Sequence, residues 1–74
     1  MFVSRKTVAR LREYYPAGTR VELLQMDDAQ APPPGAKGTV QGVDDAGSVM
    51  VAWDNGSHLN VLYSIDKIKK FEII

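Results

Sequence analysis

The chain has 74 residues, no cysteine, one histidine and a formal net charge of zero, with 45% of its residues hydrophobic. That length holds one small domain with a modest core and no deep cavity between domains. The absence of cysteine excludes a disulfide framework and a thiolate zinc site, and no apolar run approaches the length of a membrane span.

Without disulfides or a thiolate metal site, stability must come from apolar packing, so self-association into a homo-oligomer is open at this size. Met1-Phe2-Val3-Ser4-Arg5 lacks the apolar core of a secretory signal. With the absence of cysteine, this points to a cytoplasmic setting and no membrane partner. The neutral total conceals an uneven distribution. Residues 1–20 carry Arg5, Lys6, Arg10, Arg12 and Arg20 against Glu13, a balance of +4. Residues 21–54 carry six acidic residues against Lys37, a balance of −5, and the last twenty residues return to +1. The overall basic charge common in nucleic-acid binders is missing, although a local basic face is open.

Ser4 to Tyr15 reads as a short helix. Ser4 is suited to cap it by accepting a bond from an early backbone N–H. Val8, Leu11 and Tyr15 recur at helical spacing, and Arg5, Lys6 and Arg10 fall on the other side. Pro16 ends the helix, because the residue before proline is pushed out of the helical region. Arg20 to Met26 reads as the first strand, with Val21 and Leu23 on one face and Glu22, Leu24 and Met26 on the other. Apolar residues on both faces suggest that the second face is covered as well, with the helix as the candidate cover.

Residues 27–38 form a loop containing Pro32-Pro33-Pro34, which can supply no ladder donors. A stiff proline loop this long in so small a domain is unusual. It reads as a connector, a groove wall, or itself a ligand for a neighbouring copy. Gly38 to Val43 is the second strand, with Gly42 at a bend or a close approach. Asp45-Ala46-Gly47 suits a type I turn closed by a left-handed glycine. Val49, Val51 and Trp53 then alternate with Ser48, Met50 and Ala52, the period of a strand with one buried face. Asp54-Asn55-Gly56 follows, and Asn-Gly suits a type I′ hairpin turn. His58 to Tyr63 is expected as a fourth strand and Ile68 to Ile74 as a fifth, with one 3₁₀ turn at Ser64-Ile65-Asp66 between them.

These elements predict a mainly β fold, a five-stranded SH3-like small barrel over residues 19–74 with a short N-terminal α-helix over 4–15. The whole chain, 1–74, is expected to be one SH3-like domain, with the helix as an addition to the barrel.

The chemistry on offer is sparse. Asp27-Asp28 and Asp44-Asp45 are acidic pairs that suit turn chemistry, recognition of a partner, or, if the loops meet, a hard cation. Their spacing does not match an EF-hand, and no metal site is assigned. His58 has no nucleophile pattern around it and reads as a solvated strand residue. No catalytic residue, enzyme activity or cofactor is expected. Trp53 reads as core or half-buried, with its strand end beside the long loop.

Five segments stand in order between Tyr15 and about Lys70: Tyr15-Pro16-Ala17-Gly18-Thr19-Arg20-Val21-Glu22-Leu23, Met26-Asp27-Asp28, Pro32-Pro33-Pro34-Gly35-Ala36-Lys37-Gly38-Thr39-Val40, Val43-Asp44-Asp45-Ala46-Gly47 and Trp53-Asp54-Asn55-Gly56-Ser57-His58-Leu59. In these the stretch resembles the family known as domain of unknown function 4314, small domains of bacteria, their phages and mobile elements. Leu62-Tyr63-Ser64 departs from it, since the family tends to have a proline-glycine turn there. The resemblance implies no activity and no functional residues. A looser likeness to Mind-bomb-type SH3-like domains rests on the glycine-valine strand and the strand ending Trp53-Asp54-Asn55-Gly56, and it implies peptide or protein binding.

The resulting expectation is a non-catalytic module that binds a protein or peptide, an accessory protein of a phage or mobile element. Its groove is expected to form from Asp27, Asp28 and Pro33 of the long loop, Asp44 and Asp45 of the turn, and Trp53 and Asp54 at the strand end. The alternative is a nucleic-acid-binding barrel that uses Arg5, Lys6 and Arg10 of the helix with Lys67, Lys69 and Lys70.

Overall fold

A computed structural model describes residues 3–63 and 65–71. One helix, α1 (Arg5–Tyr14), precedes four strands, β1 (Arg20–Gln25), β2 (Lys37–Val43), β3 (Val49–Trp53) and β4 (Lys67–Lys70). The strands form one antiparallel sheet in the order β3-β2-β1-β4. The protein is thus mainly β, with a single N-terminal helix.

The helix begins as its sequence predicts. Ser4 has extended backbone angles, and its hydroxyl accepts the Thr7 N–H at 3.1 Å. Val8 is buried, and Leu11 and Tyr15 pack against the core from the same stripe. After Pro16 the chain turns, and the Gly18 N–H donates to the Val40 carbonyl at 2.8 Å. The helix is therefore packed on the sheet, with Arg5, Lys6 and Arg10 exposed on its other side.

The core is built from alternating residues: Val21 and Leu23 of β1, Val40 and Val43 of β2, Val49, Val51 and Trp53 of β3, and Val61 beyond it. β-branched residues at these positions lose little freedom on a pleated surface. β2 and β3 approach so closely that a Cβ on Gly38 would lie 2.6 Å from Val51 Cγ1 and 2.9 Å from Trp53 Cε3. A register shift between Val40 and Gly42 bends β2 at the expected place.

Both turns flanking β3 close in the same way. Asp44 N–H bonds to Ser48 O and Gly47 N–H to Asp44 O; likewise Trp53 N–H bonds to Ser57 O and Gly56 N–H to Trp53 O. Gly47 has φ 87° and Gly56 φ 93°, so each three-residue loop ends on a left-handed glycine. The two-residue type I′ turn expected at Asn55-Gly56 is replaced by this longer loop. Asn55 Oδ1 instead accepts the Ser57 N–H at 2.9 Å.

The expected fourth strand, His58 to Tyr63, is reduced to one antiparallel bridge between Val49 and Val61. Side chains have taken the backbone groups that a ladder would use. Trp53 Nε1 donates to the Leu59 carbonyl at 2.9 Å, and Ser57 Oγ accepts the Leu59 N–H at 3.4 Å. The last strand runs over Lys67–Lys70 and pairs with β1, where Val21 faces Lys70 and Leu23 faces Ile68. Residues 72–74, the end of the expected fifth strand, and Ser64 of the expected 3₁₀ turn lie outside the described residues.

The proline loop is tied down at its end. Pro33-Pro34-Gly35-Ala36 forms a turn, with Ala36 N–H on Pro33 O and Gly35 at φ 91°. Gly35 N–H then bonds to Leu23 O, and Leu23 N–H to Ala36 O, both at 2.8 Å. Pro32 is buried, whereas Pro33 and Pro34 are exposed.

Candidate functional site

The structure separates the residues of the expected groove. β2 begins at the proline loop and ends at the Asp44-Asp45 turn. Seven residues at about 3.3 Å each place those features roughly 20 Å apart, at opposite ends of the strand. Trp53 and Asp54 sit at the proline-loop end, since Trp53 pairs with Gly38 and the Asp54 N–H bonds to Lys37 O. The two acidic pairs therefore do not converge. Among the described residues, no three His, Asp or Glu side chains are grouped as a metal site.

The acidic side chains mostly serve the fold. Asp28 Oδ1 accepts the Gln30 N–H at 2.8 Å, and Asp44 Oδ1 accepts both Ala46 N–H at 3.0 Å and Ser48 N–H at 2.9 Å. Asp45 Oδ1 meets Arg12 Nη2 at 2.8 Å, while Arg12 Nε donates to the Val43 carbonyl. Asp27 is exposed. Trp53 is 3% exposed and part of the core, so its ring offers no open face to a partner.

Asp54 lies in a clamp. Arg20 Nη1 and Nη2 donate to its two oxygens at 2.8 and 2.6 Å, and Nη1 also donates to Thr39 Oγ1. The Arg20 guanidinium carbon lies 5.3 Å from the Phe71 ring centre. Hydrogen bonding to Arg20 holds the Asp54 carboxyl below its usual range, and the same bonds raise the Arg20 pKa. His58 is exposed, and the carboxylate four residues before it is engaged by Arg20 rather than by the imidazole.

The basic residues of the alternative reading fall on two elements. Arg5, Lys6 and Arg10 are exposed on α1, and Lys67, Lys69 and Lys70 are exposed on β4. Lys70 Nζ donates to the Tyr14 carbonyl at 2.8 Å and lies 4.1 Å from the Tyr14 ring centre, fastening β4 to the end of α1. Lys69 Nζ lies 4.0 Å from Glu22.

A different feature stands out on the surface. An apolar cleft of about 350 Å³ is walled by Leu11 and Tyr15 of the helix region, Leu24, Ile68, and Leu62-Tyr63 of the final crossing. Leu24 and Leu62 are each 45% exposed and Tyr63 44%. Asp66 and Lys67 also line the cleft, and Asp66 Oδ2 accepts the Leu62 N–H at 2.9 Å. The crossing is further held by Ile65 and Asp66 N–H groups on the Leu62 carbonyl. Burial pushes the Tyr15 phenol pKa up, and neighbouring Tyr14 adds to the effect. Leu62-Tyr63 also borders a second hollow of about 240 Å³, with Val3, Ala46, Ser48 and Ile65.

The groove expected from the sequence omitted this cleft. Its signal in the sequence was Leu24 and Leu62, apolar residues that strand alternation sets opposite Leu23 and Val61; in the structure they line one cleft together with Val61 and Ile68. The helix does not cover the second face of β1 as expected: Val8, Leu11 and Tyr15 pack with Val21 and Leu23 of the first face, and Leu24, where the β1–β4 register shifts, stays 45% exposed. Tyr63, two residues beyond Val61, is exposed because the strand does not continue beyond the Val49–Val61 bridge.

No helix among the described residues is long and apolar enough to cross a membrane. No curated protein and no solved structure matches the chain. The family model described as a domain of unknown function (DUF4314) matches residues 4–71, so it takes in the helix as well as the sheet. The chain therefore belongs to the domain of unknown function 4314 family.

Proposed function

We propose that the protein is a non-catalytic interaction module that binds a protein or peptide segment in the cleft between α1, the β1–β4 side of the sheet and the final crossing. The observation that carries this reading is the exposed apolar wall of Leu24, Leu62 and Tyr63 around one concavity. Single exposed apolar residues are ordinary, whereas a contiguous patch lining a hollow marks a contact surface. The two adjoining hollows favour an extended segment over a compact small molecule. The fold belongs to the same proposal: the Val49–Val61 bridge lays the crossing beside β3, where the remaining strand would close an SH3-like barrel. A cytoplasmic accessory role in bacteria, phages or mobile elements completes the reading.

The test is selection of a random peptide display library on the immobilised protein, with Leu24→Lys and Leu62→Glu variants as counter-targets. The expected result is a set of enriched peptides that bind the native chain and neither variant. Enrichment that both variants retain would place binding elsewhere.

A second reading rests on the exposure of Arg5, Lys6 and Arg10, whose side chains have no hydrogen-bond or ion-pair partner among the described residues. Nucleic-acid binding through them would weaken steeply with salt. Absence of a mobility shift at low salt removes it.

A further inference from the structure

We infer that the cleft is a self-association surface, covered by a second copy of this chain in a two-fold dimer. The inference rests on the reading of the cleft as a docking surface and names its occupant. Three observations on the same patch lead there.

The first is shape. Leu62 and Tyr63 line both hollows, so the pair forms a ridge with a depression on each side. A two-fold interface uses one patch twice and must therefore be complementary to itself. A ridge beside a depression meets that requirement, because the ridge of each copy enters the depression of the other.

The second is charge. The charged residues lining the two hollows are Asp66 and Lys67, adjacent and opposite in sign. A two-fold rotation can set the Lys67 ammonium of each copy against the Asp66 carboxylate of the other. One Asp66 oxygen is fixed by the Leu62 N–H, which orients the group before any contact is made. The formal net charge of zero leaves little general repulsion between copies.

The third is the small core. Nine buried apolar residues hold the described fold, while Tyr14, Leu24, Leu62, Tyr63 and Ile65 remain exposed. All of these exposed residues except Tyr14 line the two hollows. Domains of this size often gain stability by association, and this patch is where the unburied apolar surface collects.

Sedimentation equilibrium from low to high micromolar concentration tests the inference. The native chain is expected to approach a dimer, and Leu62→Glu and Tyr63→Glu to remain monomeric with native circular dichroism. Lys67→Glu would set carboxylates against carboxylates and is expected to weaken the dimer about tenfold, or about 1.4 kcal/mol, whereas Lys69→Glu leaves it unchanged. A peptide selected on the cleft is expected to dissociate the dimer. A native chain that stays monomeric at the highest concentration overturns the inference, as does a dimer that survives both ridge substitutions. If the monomer still binds cleft-selected peptides, the proposed function stands without the dimer. Loss of both results removes both readings.

Discussion

Arg20 and Asp54 are 34 positions apart, yet they form the best-defined ion pair in the molecule. Their meeting follows from strand register: Arg20 faces Thr39 across β1 and β2, and Trp53, just before Asp54, faces Gly38. Because the folded Asp54 pKa lies below its usual value, its contribution is present above the unfolded pKa of about 4 and is lost as pH falls through the folded value. Asp54→Asn is therefore expected to melt at a lower temperature at neutral pH and to lose less on acidification than the native chain. Thermal melts at neutral and acid pH check this, and equal acid losses would count against the clamp. Asp44 differs in kind, since it serves two local N–H groups. Asp44→Ala should cost about 1–2 kcal/mol in urea unfolding, whereas Asp45→Ala, which removes one exposed ion pair, should cost at most about 1 kcal/mol. Asp44's role was legible because turn chemistry is local. The Arg20–Asp54 pair was not, because it depends on a register that no short stretch specifies.

At the scale of elements, the helix and the first three strands could be read closely from capping, periodicity and glycine-bearing turns. Ser4 caps the helix where expected, and Ser4→Ala should destabilise the fold by about 1 kcal/mol. The β2–β3 contact is less forgiving. Gly38→Ala would press a methyl group onto Val51 and Trp53, and a loss of about 1–3 kcal/mol is expected from calorimetry or denaturant titration. The alternating residues His58 to Tyr63 misled at one point. Alternation reports which faces would be buried, not whether the backbone groups are available for pairing. Here the Trp53 indole and the Ser57 hydroxyl occupy Leu59, and a single bridge at Val61 remains.

Across the whole molecule, sheet order decides which sequence features meet. The order β3-β2-β1-β4 sends the proline loop and the Asp44-Asp45 turn to opposite ends of β2. It also brings Leu24, Ile68 and the Leu62-Tyr63 crossing together with Leu11 of the helix. The apolar cleft was thus written in residues that look unremarkable one at a time, and only the topology assembles them. The measurement that bears most directly on its role is an NMR titration of the ¹⁵N-labelled chain with a peptide selected from the display library. The account predicts shift changes concentrated at Leu11, Leu24, Leu62, Tyr63 and Lys67 and extending to Ala46 and Ser48 of the adjoining hollow, with Arg5, Lys6 and Arg10 and the proline loop unaffected. Changes centred on the proline loop or on the basic helix face, with the cleft silent, would contradict it.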